Sequence, residues 1–348
     1  MIEDKKYCMS SFLSFRTIAD SSKSFKKDII PNLYKDDFEK MPVKDDYELE
    51  SALKKQIVKA TGEKKVALAL SGGIDSAVLA KFMPAGSKAY TFQCVVPGVE
   101  VATEVPQAKQ YAKECGLNHE IVEIYWEDFE KYAPLLMKHK GAPIHSIEVQ
   151  IYKAAKRAKE KGFDAIIFGE SADLNYGGLS GLMSKDWRVG EFIDRYNYVQ
   201  PYHVLKNFEL ITEPFLQYEK DGYIDVFEFC RGFFLREAMG SYTNACECAG
   251  IELICPYAHT KLSVSLDYDR IRAGENKYII RDLFSRLYPK YEIPVKLPMP
   301  RATNEWLKDW EGPKRSEFYP NCVANMTGDQ KWLVWALERY LDVIEEDN

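Results

Sequence analysis

The sequence predicts an α/β protein: a parallel sheet covered by helices on both faces, followed by a C-terminal helical layer. Three observations carry this. Between residues 64 and 169 short apolar, β-rich runs alternate with helix-periodic stretches, the pattern of a parallel sheet. The runs themselves, such as "VALAL" and "AIIF", are apolar throughout, as in strands buried on both sides. After about residue 200 the alternation stops and long helical periods take over.

Taken in order, residues 1–45 are polar and turn-rich and read as an arm or linker. The mainly helical part is read as 201–348 and the α/β core as 46–200, opened by the amphipathic helix of "DDYELESALKKQIVKAT". "KKVALAL" is a buried strand and "DSAVLAKFM" a helix. "KAYTFQCVV" is the second strand, "ATEVPQAKQYAKECG" a helix and "NHEIVEIY" the third strand. "SIEVQIYKAAKRAKEKG" is a helix closed by Gly162, and "FDAIIFG" is the fourth strand. In the second half, "DVFEFCRGFFLREAMGSYTNACECAG", "ENKYIIRDLFSRLYP" and "DQKWLVWALERYLDVIEE" are all helical in period. The last is expected to be a packed helix rather than an aromatic stacking platform.

Composition narrows the function. Of 348 residues 46% are apolar and 29% charged, ordinary for a globular protein with a sizeable core. The net charge of −6 speaks against an extended nucleic-acid footprint. No window approaches eighteen consecutive apolar residues and the N-terminus lacks the apolar core of a signal peptide, so neither a membrane nor a nucleic-acid partner is expected, and the expected location is cytoplasmic. The eight cysteines include no Cys-x-x-Cys pair. Cys246, Cys248 and Cys255 match no common zinc spacing and read as buried, reduced thiols rather than metal or iron–sulfur ligands. The five histidines form no triad.

The chemistry lies in "SGGIDS", residues 71–76, where the first strand meets a helix. Ligands of an open parallel sheet bind beyond the carboxyl ends of the strands. Gly72 and Gly73 let backbone N–H groups approach an anion, and the helix adds its free amides and positive dipole end. Ser71 and Ser76 can donate hydroxyl hydrogen bonds to the same anion. No Gly-Lys-Ser/Thr follows, so this is a phosphate cradle of a non-Walker kind. Asp75 would repel phosphates unless it holds a bridging Mg²⁺; its other use is as a helix cap.

"SGGIDS" after a buried strand resembles the pyrophosphate loop of the ATP pyrophosphatases, whose fold is of the adenine nucleotide α-hydrolase type. Within that superfamily, "FGESADLNYGG" (168–178) resembles the "GEGADELFGGY" signature of the asparagine synthetase family, matching at Gly169, Glu170, Ala172, Asp173, Gly177 and Gly178. "ENKYIIRDLFSRLYPKYEIPVKLPMPRATNEWL" resembles that family's C-terminal Lys-x₃-Arg, Pro, Lys and Trp-Leu pattern, and "GIELICPYAHTKL" its segment around Glu252, Pro256 and Leu262. The resemblance covers roughly residues 46–315. Departures are Ser171 in place of a glycine, Leu174 in place of an acidic residue, and His145 where an aspartate is usual, all in the expected acceptor region. His145 either faces the acceptor or is a satisfied polar histidine. The glutaminase half of full-length members is not expected here, since Ile2 stands where its cysteine nucleophile would be, although "FLSFRTIADSSKSF" (12–25) resembles the stretch ending that half.

The resemblance implies an AMP- and pyrophosphate-forming amide ligase using ATP and Mg²⁺. It makes Asp75 and Asp173 the Mg²⁺ ligands, with a structural cap as the other reading of each. Lys296 matches the catalytic lysine, with Lys290 as the alternative, and Glu170 the general base that accepts a proton from the incoming amine. Thr91, Phe92 and Gln93 end the second strand, where adenine is expected, and Gly169 joins the nucleotide site. The implied partners are a small-molecule carboxylate and ammonia or an amine, supplied free or by a separate glutaminase subunit; a homo-oligomer is compatible with the sequence. The rival readings are a tRNA-modifying or sulfur-transferring ATP pyrophosphatase and a non-catalytic nucleotide-binding subunit.

Overall fold

Five parallel strands form the central sheet: β1 (Val66–Ala69), β2 (Lys88–Cys94), β3 (Asn118–Ile124), β4 (Ala165–Ile167) and β5 (Glu252–Ile254). The computed structural model describes residues 1–295, 297 and 299–346. Spatial order is β5-β4-β1-β2-β3, with all four neighbouring pairs parallel. Leu68 lies opposite Ala89 on one side and Ile167 on the other, so β1 is central. Every β1 residue is buried, which is why its sequence shows no polar alternation.

Helices α1 (Lys5–Phe15), α2 (Asp46–Glu63), α3 (Ile74–Ala80), α4 (Val105–Glu114), α5 (Trp126–Lys140), α6 (Ile147–Glu160) and the one-turn α7 (Ala172–Asn175) come from the first half. The second half supplies α8 (Leu235–Cys248), α9 (Tyr278–Leu287) and α10 (Gly328–Glu346). The right-handed crossovers from β1 through β2 to β3 put α3 and α4 on one face, and the return from β3 to β4 puts α5 and α6 on the other. Helices α2 and α9 pack with α3 on the first face; α8 packs with α5 and α6 on the second.

Two segments differ from the sequence reading. The second half is not a purely helical layer: Glu252–Ile254 leaves α8 and pairs in register with Ala165–Ile167 at the sheet edge. Three residues are too short a run to show a strand period, and tertiary pairing decides their conformation. In place of a polar arm, residues 5–15 form α1, started by Asp4, whose carboxylate accepts the Tyr7 amide at 2.9 Å. Its Cys8, Phe12, Leu13 and Phe15 are fully buried, and it packs on α10. C-terminal α10 is indeed packed: Trp332, Leu337 and Tyr340 are buried, and the Trp332 indole donates to the Ile144 carbonyl at 3.0 Å. Among the described residues no helix is long and apolar enough to cross a membrane.

Candidate functional site

Because the chain steps from β1 to β2 and β3 on one side and later returns to β4 on the other, strand order reverses between β1 and β4. A crevice opens beyond the carboxyl ends of such a pair. The loop after β1 (Ser71–Ser76) and the loop after β4 (Phe168–Asp173) flank it. They are tightly apposed: a Cβ on Gly169 would sit 3.2 Å from the Ser76 nitrogen and 3.3 Å from the Asp75 Cβ. Glycine is needed there for close approach, not for turn geometry.

The first loop is braced from within. Ser76 Oγ accepts the Ser71 amide at 2.9 Å and lies 2.9 Å from Ser71 Oγ, which in turn accepts the Gly73 amide at 3.1 Å. Gly73 is the N-cap of α3 and makes no side-chain cap bond, so the first-turn amides have no capping side chain. Gly72 packs on the approach to α4, where an added Cβ would lie 3.0 Å from Glu104 Cβ. Glu104 also takes the Gly72 amide; burial, with the Asp75 charge adding to it, pushes its carboxyl up to about 7.

Asp75 lies in the first turn of α3 and does not cap it; its carboxylate points to a buried cation. Lys277 Nζ lies 2.9 and 2.7 Å from the two oxygens of Asp75 and 2.9 Å from Asp173 Oδ1. Burial works against the ammonium, but the two carboxylates outweigh it and hold the Lys277 pKa above its usual value. Asp173 is seated against Gly178, where an added Cβ would fall 2.0 Å from Asp173 Oδ1. The Tyr257 hydroxyl donates to the Asp75 carbonyl at 3.1 Å. Among the described residues no three metal-ligating side chains cluster. Two carboxylates converging on one cation position nevertheless fit Mg²⁺, which takes one or two protein carboxylates and completes its shell with substrate phosphates and water.

Glu170 stands beside this pair. Its Oε1 accepts the Ser171 amide at 2.8 Å, and the Tyr242 hydroxyl hydrogen-bonds its carboxylate. Burial dominates and pushes its pKa up to about 7, with Asp173 and Glu237 adding to the rise. A carboxyl poised near neutrality can both accept and return a proton. Ser171, the serine in place of a glycine, has φ +73°, the left-handed region that glycine fills without strain. Its hydroxyl meets the Met239 sulfur at 3.2 Å. Leu174 is buried, and the neighbouring Asn175 amide ties the one-turn helix to the Tyr257 carbonyl at 2.9 Å.

Other expected site residues are placed less directly. Thr91 is buried, and its hydroxyl is engaged by the Leu70 carbonyl and, at 2.7 Å, by His119 Nε2. Strand alternation turns Phe92 to the opposite face from Thr91 and Gln93. Lys296 lies outside the described residues. Sequence reasoning passed over Lys277, Glu104 and Tyr242. Lys277 is the lysine of the Lys-x₃-Arg pattern, so a signal for it existed; Glu104 and Tyr242 carried none.

The sequence pattern of the family described as asparagine synthase matches residues 47–247, more than half of the chain. The chain belongs to the asparagine synthase family. Its central sheet is five parallel strands flanked by helices, and family membership makes an ATP-dependent ligase or synthetase the coarse class of its activity. A comparison with curated proteins returns no match. Solved structures similar to this chain include an NH₃-dependent NAD synthetase from Campylobacter jejuni (15% identity, TM-score 0.25), matched over 38% of this chain and 58% of that one. An NMN synthetase from Francisella tularensis is matched at 11% identity and TM-score 0.29, over 72% of this chain and 98% of that one. A U34-tRNA thiolase from Methanococcus maripaludis is matched at 16% identity and TM-score 0.27, over 72% and 82% of the two chains.

Proposed function

We propose that this chain adenylates a substrate carboxylate with ATP and transfers ammonia or an amine to it, releasing AMP and pyrophosphate. The observation that carries this reading is the meeting of Asp75 and Asp173 on one cation position, beside a glycine loop at the switch point and Glu170, whose pKa burial pushes up.

In the first step the carboxylate oxygen attacks the α-phosphorus, and the bond to pyrophosphate breaks. The uncapped amides at the start of α3 stabilise charge that develops on the phosphate oxygens, while the Gly72 and Gly73 amides, taken by Glu104 and by Ser71 Oγ, brace the loop. Asp75 and Asp173 would hold Mg²⁺, which when bound neutralises and orients the leaving pyrophosphate. Lys277 keeps the two carboxylates together and adds a further positive charge. Lys296, carried over from the family pattern, serves the α-phosphoryl oxygens. In the second step the amine attacks the acyl carbon and expels AMP. Glu170 takes the proton the attacking nitrogen must lose, with the Tyr242 hydroxyl and the Ser171 amide holding its carboxylate in place.

The test separates the steps. Lys296→Ala is expected to lose pyrophosphate release even without amine. Glu170→Gln is expected to release pyrophosphate and form the acyl-adenylate in single turnover, yet make amide 10²–10⁴-fold more slowly, the usual effect of losing one proton acceptor. If Glu170→Gln blocks pyrophosphate release as fully as Lys296→Ala, Glu170 belongs to the ATP site.

A further inference from the structure

Residues 183–187, a few positions beyond Gly178, meet an antiparallel pair of short strands, Glu219–Lys220 and Tyr223–Ile224. Between them and the helix Tyr268–Arg272 opens a cavity of about 240 Å³. That helix fixes its place: Tyr268 lines the cavity, while Ile271 Cδ1 lies 2.6 Å from where a Cβ on Gly177 would stand. None of the lining residues belongs to the 71–76 or 168–173 loops, so the cavity is a neighbour of the site already described and not a part of it. Its walls are tied together. The Ile224 amide donates to the Trp187 carbonyl at 3.0 Å and the Asp225 amide to the Tyr218 carbonyl at 2.8 Å. Arg272 donates to the Met183 carbonyl at 3.4 Å and pairs with Asp186 at 2.6 Å, so the space is preformed.

The lining combines an apolar floor, two tyrosines and charges of both signs. Met183, Ile224 and Val226 form the floor and are buried. Tyr223 is held at the mouth, 40% exposed. The Arg188 and Arg272 guanidiniums back the Tyr223 and Tyr268 rings at 5.6 and 5.4 Å, and neither lines the cavity. The charged groups of the lining are two lysines and two aspartates, and all are paired. Lys220 meets Asp225 at 2.7 Å, Asp186 meets Arg272 at 2.6 Å, and Lys185 meets Glu191 at 3.0 Å. The cavity therefore offers no surplus charge to an anion or a cation. Pairing does not exhaust these groups, since an ammonium has three N–H bonds and a carboxylate about four lone-pair sites. Burial, with Asp225 next, pushes the Tyr268 hydroxyl up to about 12, so it stays protonated. Donors and acceptors thus stand side by side above apolar carbon. The ligand group that answers both is a hydroxyl, which donates and accepts at once.

We propose that this cavity binds one uncharged sugar ring, its C–H face against Tyr223 and its hydroxyls on the Lys220–Asp225 pair, Asp186 and Tyr268. An amphipathic ring on an amphipathic aromatic side chain buries carbon while keeping its polar edge satisfied. The volume equals about eight water molecules, below the range for drug-sized ligands, and so admits a single ring rather than a nucleotide. A charged sugar gains nothing further, because each cation of the lining is already balanced. The assignment stands apart from the ligase reading: it uses no residue of the nucleotide site and needs no ATP.

The test presents the full chain, without nucleotide, with glucose, galactose and mannose, and with the matching uronates and 2-amino sugars. Saturation-transfer NMR detects binding and calorimetric titration ranks it. At least one neutral sugar is expected to bind, more tightly than both of its charged counterparts. Tyr223→Ala is expected to weaken that binding about tenfold or more, and Tyr223→Phe, which keeps the ring, to retain most of it. Lys220→Ala, at a side chain 71% exposed and so without consequence for folding, is expected to weaken it about threefold or more. Tyr319→Ala, at an equally exposed tyrosine outside the cavity, and Asp173→Asn should both bind as the wild type does. Absence of binding by all three neutral sugars overturns the assignment, as does a charged counterpart bound as tightly. Binding that survives both Tyr223→Ala and Lys220→Ala, or is lost in Asp173→Asn, would place the sugar elsewhere and overturn it too.

Discussion

Lys277 Nζ lies 2.7 Å from Asp75 Oδ2, and the same ammonium reaches Asp173 at 2.9 Å. Two carboxylates 98 residues apart in sequence are thereby held on one point by a lysine that is itself buried. Lys277→Gln removes the shared cation and leaves the carboxylates to repel each other. The expected loss is roughly 2–4 kcal/mol, below the range for fully buried pairs because both carboxylates keep contact with solvent. Thermal denaturation should show the variant regaining stability on adding millimolar Mg²⁺, by several degrees more than the wild type. An equal Mg²⁺ response in both proteins would mean that the pair is not the cation position.

Gly178 tests the same carboxylate from outside it. A methyl group at Gly178 would collide with Asp173, with Oδ1 at 2.0 Å and Cα at 2.7 Å. Gly178→Ala and Asp173→Asn are therefore each expected to slow pyrophosphate release at least 10²-fold, because a carboxylate moved by about an ångström no longer positions its partner. Activity within a few-fold of wild type in a folded Gly178→Ala variant would detach Asp173 from the chemistry.

What the sequence showed and what it hid divide along contact distance. The cradle at 71–76 and the acids at 170 and 173 were legible, because each sits a fixed few residues past an apolar strand that fixes the register. Lys277 was hidden from spacing alone: 202 residues separate it from Asp75, and only folding brings them together. The strand at 252–254 is too short to show a period, and its place is dictated by the exposed edge of β4. Helix α1 was masked by its polar surroundings; three serines in "KKYCMSSFLSF" hide a run whose Phe12, Leu13 and Phe15 are core. Ser171, where the family signature has glycine, adopts φ +73°, the left-handed region in which a serine bears strain that a glycine would not; nothing in the structure explains the substitution.

Glu170 gives a pH dependence. Its carboxyl is pushed up to about 7, chiefly by burial, and it must be ionised to accept a proton. The rate of amide formation from a preformed acyl-adenylate should rise with pH and level off above about 7. In Glu170→Gln the same profile should be low and flat across that range. A wild-type profile that levels off near pH 5 would assign the base elsewhere.

Glu104 gives a stability dependence with a definite sign. Its folded pKa, about 7, lies above the 4.5 of the free side chain, so the folded state favours the protonated form. That contribution is full below about pH 4.5 and is lost as pH rises through 7. Comparing Glu104→Gln with wild type by denaturant melts should show near-equal stability at pH 5. At pH 8 the variant should be more stable, by about 1–2 kcal/mol after allowing for partial exposure. A variant less stable at pH 8 than at pH 5, relative to wild type, would reverse the assignment.

The central claim is that a carboxylate oxygen attacks the α-phosphorus at the Ser71–Ser76 loop. Incubating the protein with ATP, Mg²⁺, an ammonium salt and a panel of ¹⁸O-labelled mono- and polycarboxylates, and reading the products by phosphorus NMR, addresses it directly. The account predicts equal amounts of AMP and pyrophosphate, with one ¹⁸O carried from the carboxylate into AMP by the accepted member of the panel. ADP and phosphate, or AMP free of label across the whole panel, would contradict it.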